Sequence, residues 1–395
     1  MRCPVPDRFP TCRGPLSRTL FSLIAALCLA ISAGVPRAAA FESEGTNAIL
    51  VDFATGAVLY EKNANQPMPP ASMSKLMTVY MVFEELAAGR LSLQDSFRVS
   101  EEAWRKGGSK MFVEVDSRVT VEDLLRGVIV QSGNDACIVL AEGLAGSEQA
   151  FADQMNEKGR ALGMTNSHFT NATGWPDPRH EMSSRDLAIL THRLIRDFPQ
   201  YYGYFSELEF TFNGIRQGNR NPLLYKNVDA DGLKTGYTKA SGYSLAASAV
   251  RDDRRLILVV NGLESVNQRS EEAERMLDYG FRKFDNYLLF EPGELVTEAL
   301  VWLGDAPSVP LVIEREVLVT MARSARDDMK VVAVYNGPVP APIEKGTSLA
   351  TLTIEAPGMR TIEAPLLAGT DIRELSTFAR IGAALNYLLW GPVGR

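Results

Sequence analysis

A serine three residues ahead of a lysine is the first pairing in this chain that could do chemistry. Among eleven lysines, only Lys75 has a serine at that spacing, Ser72. Positions i and i+3 of a helix are neighbours, so the two side chains share a face, while Ser74 points elsewhere. A serine hydroxyl is a weak nucleophile until a base lies within hydrogen-bond reach. A lysine desolvated by burial or crowded by another cation is such a base. Ser72 follows Pro69-Pro70-Ala71 and opens a helix predicted from about 71 to 88. At that end, free N–H groups and the helix dipole favour developing negative charge. Ser-x-x-Lys alone is common by chance, and Ser72 alone would read equally well as an N-cap.

Two further motifs raise the specificity. Ser132-Gly133-Asn134 interrupts a helical region, 121–145, with polar residues directly after Val128-Ile129-Val130-Gln131. Lys234-Thr235-Gly236 lies just before a predicted strand at 243–250. Ser-x-x-Lys, Ser-Asp-Asn and Lys-Thr-Gly, in that order, are the motif set of β-lactamases and penicillin-binding proteins. Here Gly133 stands in place of the Asp, and the Ser and Asn are kept.

On these residues the sequence resembles the low-molecular-mass penicillin-binding proteins, the serine-type D-alanyl-D-alanine carboxypeptidases. The resemblance runs from about 45 to 285 and includes Pro70-Ala71-Ser72-Met73-Ser74-Lys75, Ser132-Gly133-Asn134-Asp135-Ala136 and Asp231-Gly232-Leu233-Lys234-Thr235-Gly236. The stretches Gly174-Trp175-Pro176-Asp177-Pro178-Arg179-His180 and Asn213-Gly214-Ile215 to Asn219-Arg220-Asn221 also resemble the family. It implies that Ser72 attacks the carbonyl between two terminal D-alanines of a peptidoglycan stem peptide, forming an acyl-enzyme, and that penicillins acylate the same serine. Lys75 is then the base and Ser132 the proton relay to the leaving amine. Asn134 would hold the substrate amide and Lys75. Lys234 would place positive charge beside Ser132 and crowd Lys75 toward its neutral form. The oxyanion would sit between the backbone N–H groups of Ser72 and Tyr237. Arg269 would bind the free carboxylate, helped by Thr235 and Thr238. A surface ion pair with Glu271–Glu274 is the alternative for Arg269.

The elements that must position these residues follow from pattern. Residues 48–53 and 57–61 read as a hairpin around Thr55-Gly56, and 243–250 and 255–263 as a second one. Helices are expected at 148–162, 183–198 and 269–285, with an Asn-, Thr-, Gly- and Pro-rich loop at 165–180. Pattern and resemblance together give an α/β (α+β) transpeptidase/β-lactamase-like domain over 41–285. Its antiparallel sheet is flanked by helices, and Ser72 lies at the interface with a helical subdomain. Beyond 290, short Val-, Leu- and Thr-rich runs (296–303, 310–321, 329–335, 348–355, 360–367) read as a small all-β domain to about 370. Thr353-Ile354-Glu355-Ala356-Pro357 and Thr361-Ile362-Glu363-Ala364-Pro365 read as paired strands around Gly358. In 371–395, Leu375, Phe378, Ile381, Leu385, Leu388 and Leu389 recur at helical spacing near Tyr387 and Trp390. That is an amphipathic helix, suited either to its own β domain or to a membrane interface.

The N-terminus carries Arg2, Arg8, Arg13 and Arg18, an apolar run over 19–35 and the small-residue exit Ala38-Ala39-Ala40. Those are the parts of a secretory signal peptide, and a retained anchor is the alternative. The full chain carries −7, and segment 1–40 holds five Arg and one Asp, so removing it leaves about −11. An acidic exported protein is a poor nucleic-acid binder. Of four cysteines only Cys137 lies beyond residue 28. A disulfide scaffold and thiolate-ligated metals are therefore excluded. His168, His180 and His192 show no metal spacing and no Gly-x-Ser-x-Gly elbow accompanies them, so they read as structural or surface residues and no cofactor is expected. Three readings on the same motifs stay open beside the carboxypeptidase: an endopeptidase, a β-lactamase using an acid from Asp177, Glu181 or Asp186, and a penicillin-binding scaffold without turnover.

Overall fold

The computed structural model describes residues 41–382, so the proposed signal segment and residues 383–395 lie outside it. Five strands form the first sheet: β1 (Asn47–Asp52), β2 (Val58–Lys62), β3 (Ala230–Thr238), β4 (Gly242–Arg251) and β5 (Arg254–Leu263). All neighbours are antiparallel, in the order β2-β1-β5-β4-β3. β1 and β5 are near-continuous apolar runs because both faces of the sheet are covered. On one face Ile49, Ile257 and Val259 join the main core. On the other, Leu50 and Leu256 close on Gly280, where an added Cβ would meet both leucines at 2.7 Å.

Six longer helices are packed with this sheet: α1 (Lys75–Ala87), α2 (Val121–Ile129), α3 (Asn134–Ala145), α4 (Glu148–Ala161), α5 (Ser184–Asp197) and α6 (Val266–Lys283). α1 is buried nearly all round, with Leu76, Met77, Val79, Val82 and Phe83 essentially inaccessible. A helix apolar on every side belongs in the interior. Phe83 sits among the rings of Phe198, Tyr201 and Phe205, at centroid distances of 5.9, 5.2 and 6.3 Å. Side-chain caps define where other helices begin: Thr120 accepts from Asp123 N, Ser147 from Ala150 N and Ser183 from Asp186 N.

The second part is all-β, as expected. β6 (Phe284–Phe290) pairs with β9 (Val317–Ala322). A six-stranded sheet runs β10-β12-β13-β8-β7-β11, where β7 is Leu295–Trp302, β8 Ser308–Ile313, β10 Lys330–Tyr335, β11 Val339–Pro340, β12 Ser348–Glu355 and β13 Ile362–Ala368. The two Thr-Ile-Glu-Ala-Pro segments lie on adjacent antiparallel strands, with Thr353 opposite Glu363 and Ile354 opposite Ile362. The two parts are joined by a buried polar knot. Arg254 donates to Asp52 Oδ2 at 2.8 Å and to the Phe284 carbonyl at 2.7 Å. Asn286 donates to Asp52 Oδ1, and Thr320 links Asn286 to Thr55.

Several boundaries differ from expectation, each for a local reason. The 71–88 helix begins with a 3₁₀ turn, Ala71–Ser74, and Ala71 has φ 49°. The 121–145 helix is two helices, and Ser132 at φ 60° sits in the break. Lys234-Thr235-Gly236 lies inside edge strand β3 rather than before the strands. The 310–321 run divides into β8 and β9, which pair in different sheets. The C-terminal helix does not begin at 371. Ile372 and Glu374 bridge to Ile343 and Gly304, which keeps this stretch extended on the β domain, and helix starts at 377.

Candidate active site

Ser72 stands half-buried in the 3₁₀ turn that leads into α1, and Lys75 is the first residue of α1 proper. Because α1 is interior, its first side chain is interior too: Lys75 is 0% exposed. Its Nζ donates to Ser72 Oγ at 2.9 Å and to the Thr173 carbonyl at 2.6 Å. Burial is the main reason its pKa falls from 10.5 to about 8, and Arg220 pushes the same way. Lys234 lies close by and is itself held well below its ordinary value by burial first, then by Lys75, Arg220 and Arg269, so the two amines disfavour each other's charged form.

Ser132 projects from the strained break between α2 and α3, and its buried hydroxyl has no hydrogen-bond partner among the described residues. A non-glycine residue at positive φ costs on the order of 1–3 kcal/mol and is held only by its surroundings. Here the neighbour Asp135 supplies the hold. Its buried carboxylate accepts from the backbone N–H groups of Met111 at 3.0 Å, Phe112 at 2.9 Å and Val113 at 3.3 Å. Asn134 donates to the Gly107 carbonyl at 2.8 Å. The resemblance implied a bond to Lys75 as well; among the described residues the Asn134 side chain is turned to Gly107, and the Lys75 amine to Ser72 and Thr173. Cys137, buried on α3, has its thiol pushed up to about 12 by burial, so it packs as an inert side chain.

Strand β3 passes directly beside the turn that carries Ser72. An added Cβ on Gly236 would meet the Pro70 carbonyl at 2.9 Å and Ala71 Cβ at 3.2 Å, so only glycine lets the strand come this close. Lys234, Thr235 and Arg269 are all buried around it. Arg269 lies over the Tyr243 ring at 5.7 Å, and Tyr243 stacks on Tyr237 at 4.3 Å. Its Nε is buried and has no partner among the described residues, and burial lowers its pKa to about 10, still charged at neutral pH. The surface-ion-pair alternative does not fit a guanidinium only 6% exposed: Lys226 takes Glu274, Arg275 takes Glu272, and Arg269 makes no ion pair among the described residues. The Thr238 hydroxyl is engaged with Ser241, while Tyr237 is half-exposed at the strand end. The result is the Ser72 hydroxyl together with two depressed lysines, Lys75 and Lys234, and two guanidiniums, Arg220 and Arg269. Such clustering of shifted cations marks a site for an anionic group.

Comparison with known proteins agrees. The D-alanyl-D-alanine carboxypeptidase profile matches residues 34–265. The chain belongs to that family. It is therefore a serine peptidase of the penicillin-binding class, and the penicillin-binding protein 5 C-terminal domain matches residues 284–374. DacC of Escherichia coli K12, a D-alanyl-D-alanine carboxypeptidase, is 39% identical over 341 residues, covering 84% of this chain and 85% of that one. DacA of Haemophilus influenzae is 36% identical over 339 residues, covering 84% and 86%. Penicillin-binding protein 5 from Haemophilus influenzae superposes with a TM-score of 0.76 at 36% identity, covering 86% of this chain and 100% of that one. DacD from Francisella tularensis gives 0.75 at 29% identity, covering 88% and 98%.

Three contributors escaped the motif reading. Thr173 acts through its carbonyl, which no side-chain pattern signals. Arg220 lay in a stretch already noted, but without an assigned role. Gly174 has φ +74°, and an added Cβ would stand 1.9 Å from the Ala71 carbonyl oxygen. Gly174→Ala is therefore expected to push the loop off the turn that carries Ser72 and cut penicillin acylation by about 100-fold. Time-resolved labelling with a fluorescent penicillin checks this, and wild-type labelling would refute it.

Proposed function

We propose that Ser72 is the nucleophile and Lys75 the base of a carboxypeptidase that removes the terminal D-alanine from peptidoglycan stem pentapeptides, in cell-wall maturation and the upkeep of cell shape. The observation that carries it is the 2.9 Å contact between Lys75 Nζ and Ser72 Oγ, with the amine buried and its pKa near 8. Neutral Lys75 takes the Ser72 proton as Oγ attacks the penultimate D-alanyl carbonyl. The oxyanion is received by the N–H groups of Ser72 and Tyr237. Ser132 passes a proton to the departing amine, and free D-alanine leaves. Water then cleaves the ester and restores Ser72. Lys234, Arg220 and Arg269, with Thr235, hold the substrate's free carboxylate, and Asn134 lines the acyl side. A β-lactam acylates Ser72 in the same way, but its opened ring stays attached.

Two of the three carboxylates that would have supported a fast-deacylating β-lactamase, Asp186 and Asp177, are otherwise engaged. Asp186 takes Asn166 N and Ser167 Oγ, both at 2.7 Å, and Asp177 takes Arg179 N at 2.8 Å. Segment 1–40 then directs export to the periplasm, with cleavage after Ala40. The amphipathic tail rests on the outer face of the cytoplasmic membrane. Support comes from Phe378 and Ile381, one helical turn apart and 89% and 56% exposed. No helix among the described residues is long and apolar enough to cross a membrane.

Ser72→Ala should abolish both D-alanine release and penicillin labelling. Release is measured from a pentapeptide alongside a crosslinked dimer and a cephalosporin; labelling at another serine would overturn the assignment. Lys75 works deprotonated, so acylation should rise with pH through about 8 and fall below it; a flat rate from pH 6 to 9 would remove Lys75 as the base. Deleting 377–395, which leaves the 371–376 stretch on the β domain, should release the protein from membrane vesicles, and unchanged sedimentation with them would exclude the tail as the anchor.

A further inference from the structure

The loop over 165–182 lies across the nucleophile turn, and none of its residues belongs to the three motifs. It meets the reacting centre through the Thr173 carbonyl, 2.6 Å from Lys75 Nζ. Its outer side is tied to helices: Asn156 brackets Phe169, Glu148 accepts from Ala172 N, and Thr78 donates to the Ala172 carbonyl. Its inner side meets the turn itself at Gly174 and at His180. The His180 ring is 3% exposed and joins Ser74 Oγ through Nε2 at 2.7 Å. Its other nitrogen, Nδ1, lies 3.2 Å from the Thr170 amide, which can only donate. Nδ1 therefore carries the lone pair, the ring proton is on Nε2, and Nε2 donates to Ser74.

We propose that His180 is a positioning residue for acylation: its Nε2–H tautomer ties the loop to Ser74 and so sets the Thr173 carbonyl that orients the Lys75 amine. The proposal rests on the roles given above to Ser72 and Lys75. Neutral Lys75 has one lone pair. An N–H given to Thr173 fixes the amine's rotation and leaves that lone pair facing Ser72 Oγ. With the carbonyl displaced, the amine rotates and meets the hydroxyl in fewer of its orientations. Ser74 is two residues from the nucleophile within one 3₁₀ turn, so the clamp fixes both partners of the proton transfer to the same piece of backbone. Phe169 packs edge-on against the ring at 5.8 Å. Burial lowers the His180 pKa to about 4, Lys75 and His168 push it the same way and Asp177 opposes, so the ring stays neutral at working pH.

The test separates acylation from binding. Time courses with a fluorescent penicillin at rising concentration give the acylation rate constant and the preceding non-covalent affinity. In His180→Ala acylation should slow about tenfold with affinity unchanged within about twofold, the split expected when only reactive geometry is lost. His180→Gln keeps an N–H for Ser74 and an oxygen for Thr170, and should restore the rate to within about threefold. Ser74→Ala should slow acylation as His180→Ala does. The double variant should be no slower than either, because contacting residues couple instead of adding. Wild-type acylation in Ser74→Ala and His180→Ala overturns the clamp, as do additive losses in the double variant. If His180→Ala does not fold, Ser74→Ala and His180→Gln decide: a slow Ser74→Ala beside a near-normal His180→Gln supports the clamp, and any other pair overturns it. Wild-type protein that takes up no penicillin would overturn the roles of Ser72 and Lys75 instead, and the clamp with them.

Discussion

Everything in the site depends on an amine held out of water. A lysine ammonium taken into a protein interior loses several kcal/mol of hydration unless a partner charge or loss of its proton compensates. Among its described contacts Lys75 meets a hydroxyl and a carbonyl, neither of them charged, so the compensation is a lowered proton affinity. The same term that makes burial expensive makes the residue a base near neutral pH. Lys234 extends the arrangement, since a second buried amine close by makes double protonation costlier still. The cost falls on the main core, where α1, α2, α3 and α5 pack with one face of the first sheet.

The second constraint is backbone shape. Ala71, the neighbour of Ser72, and Ser132 itself both hold left-handed conformations. Each puts a sharp corner where a helix is about to begin, and each corner is braced from elsewhere in the chain. Gly236 and Gly174 approach the first, and the Asp135 carboxylate ties the second to the 111–113 segment. Sheet and helical subdomain thus meet with their strained corners facing one cleft.

The proposed chemistry was legible in the sequence because it rests on side chains at fixed local spacings. Ser72 with Lys75, Ser132 with Asn134, and Lys234-Thr235-Gly236 each lie within four residues, and the order of three motifs excludes chance. What acts through backbone or through distant pairing was not legible. The Thr173 carbonyl has no residue type. Arg220 reaches the lysines only because the fold closes a gap of 145 residues to Lys75. The motif at 234–236 was placed outside a strand because Lys and Gly weaken the β pattern. Pairing with β4 overrides that weakness, as tertiary context commonly does. The helix break at 130–133 was marked by polarity, yet the apolar spacing on both sides continued the helical rhythm.

The polar knot of Asp52, Arg254, Asn286, Thr320 and Thr55 has a mechanical meaning. It crosses from the first sheet to the β domain at a buried position, and α6 runs into β6 without a linker. The joint is therefore a weld and not a hinge. The β domain and the first sheet therefore turn as one body, and the cleft keeps its heading relative to β6 and β9. A substrate strand has to come to the cleft at that heading, because the joint leaves it no swivel with which to go looking.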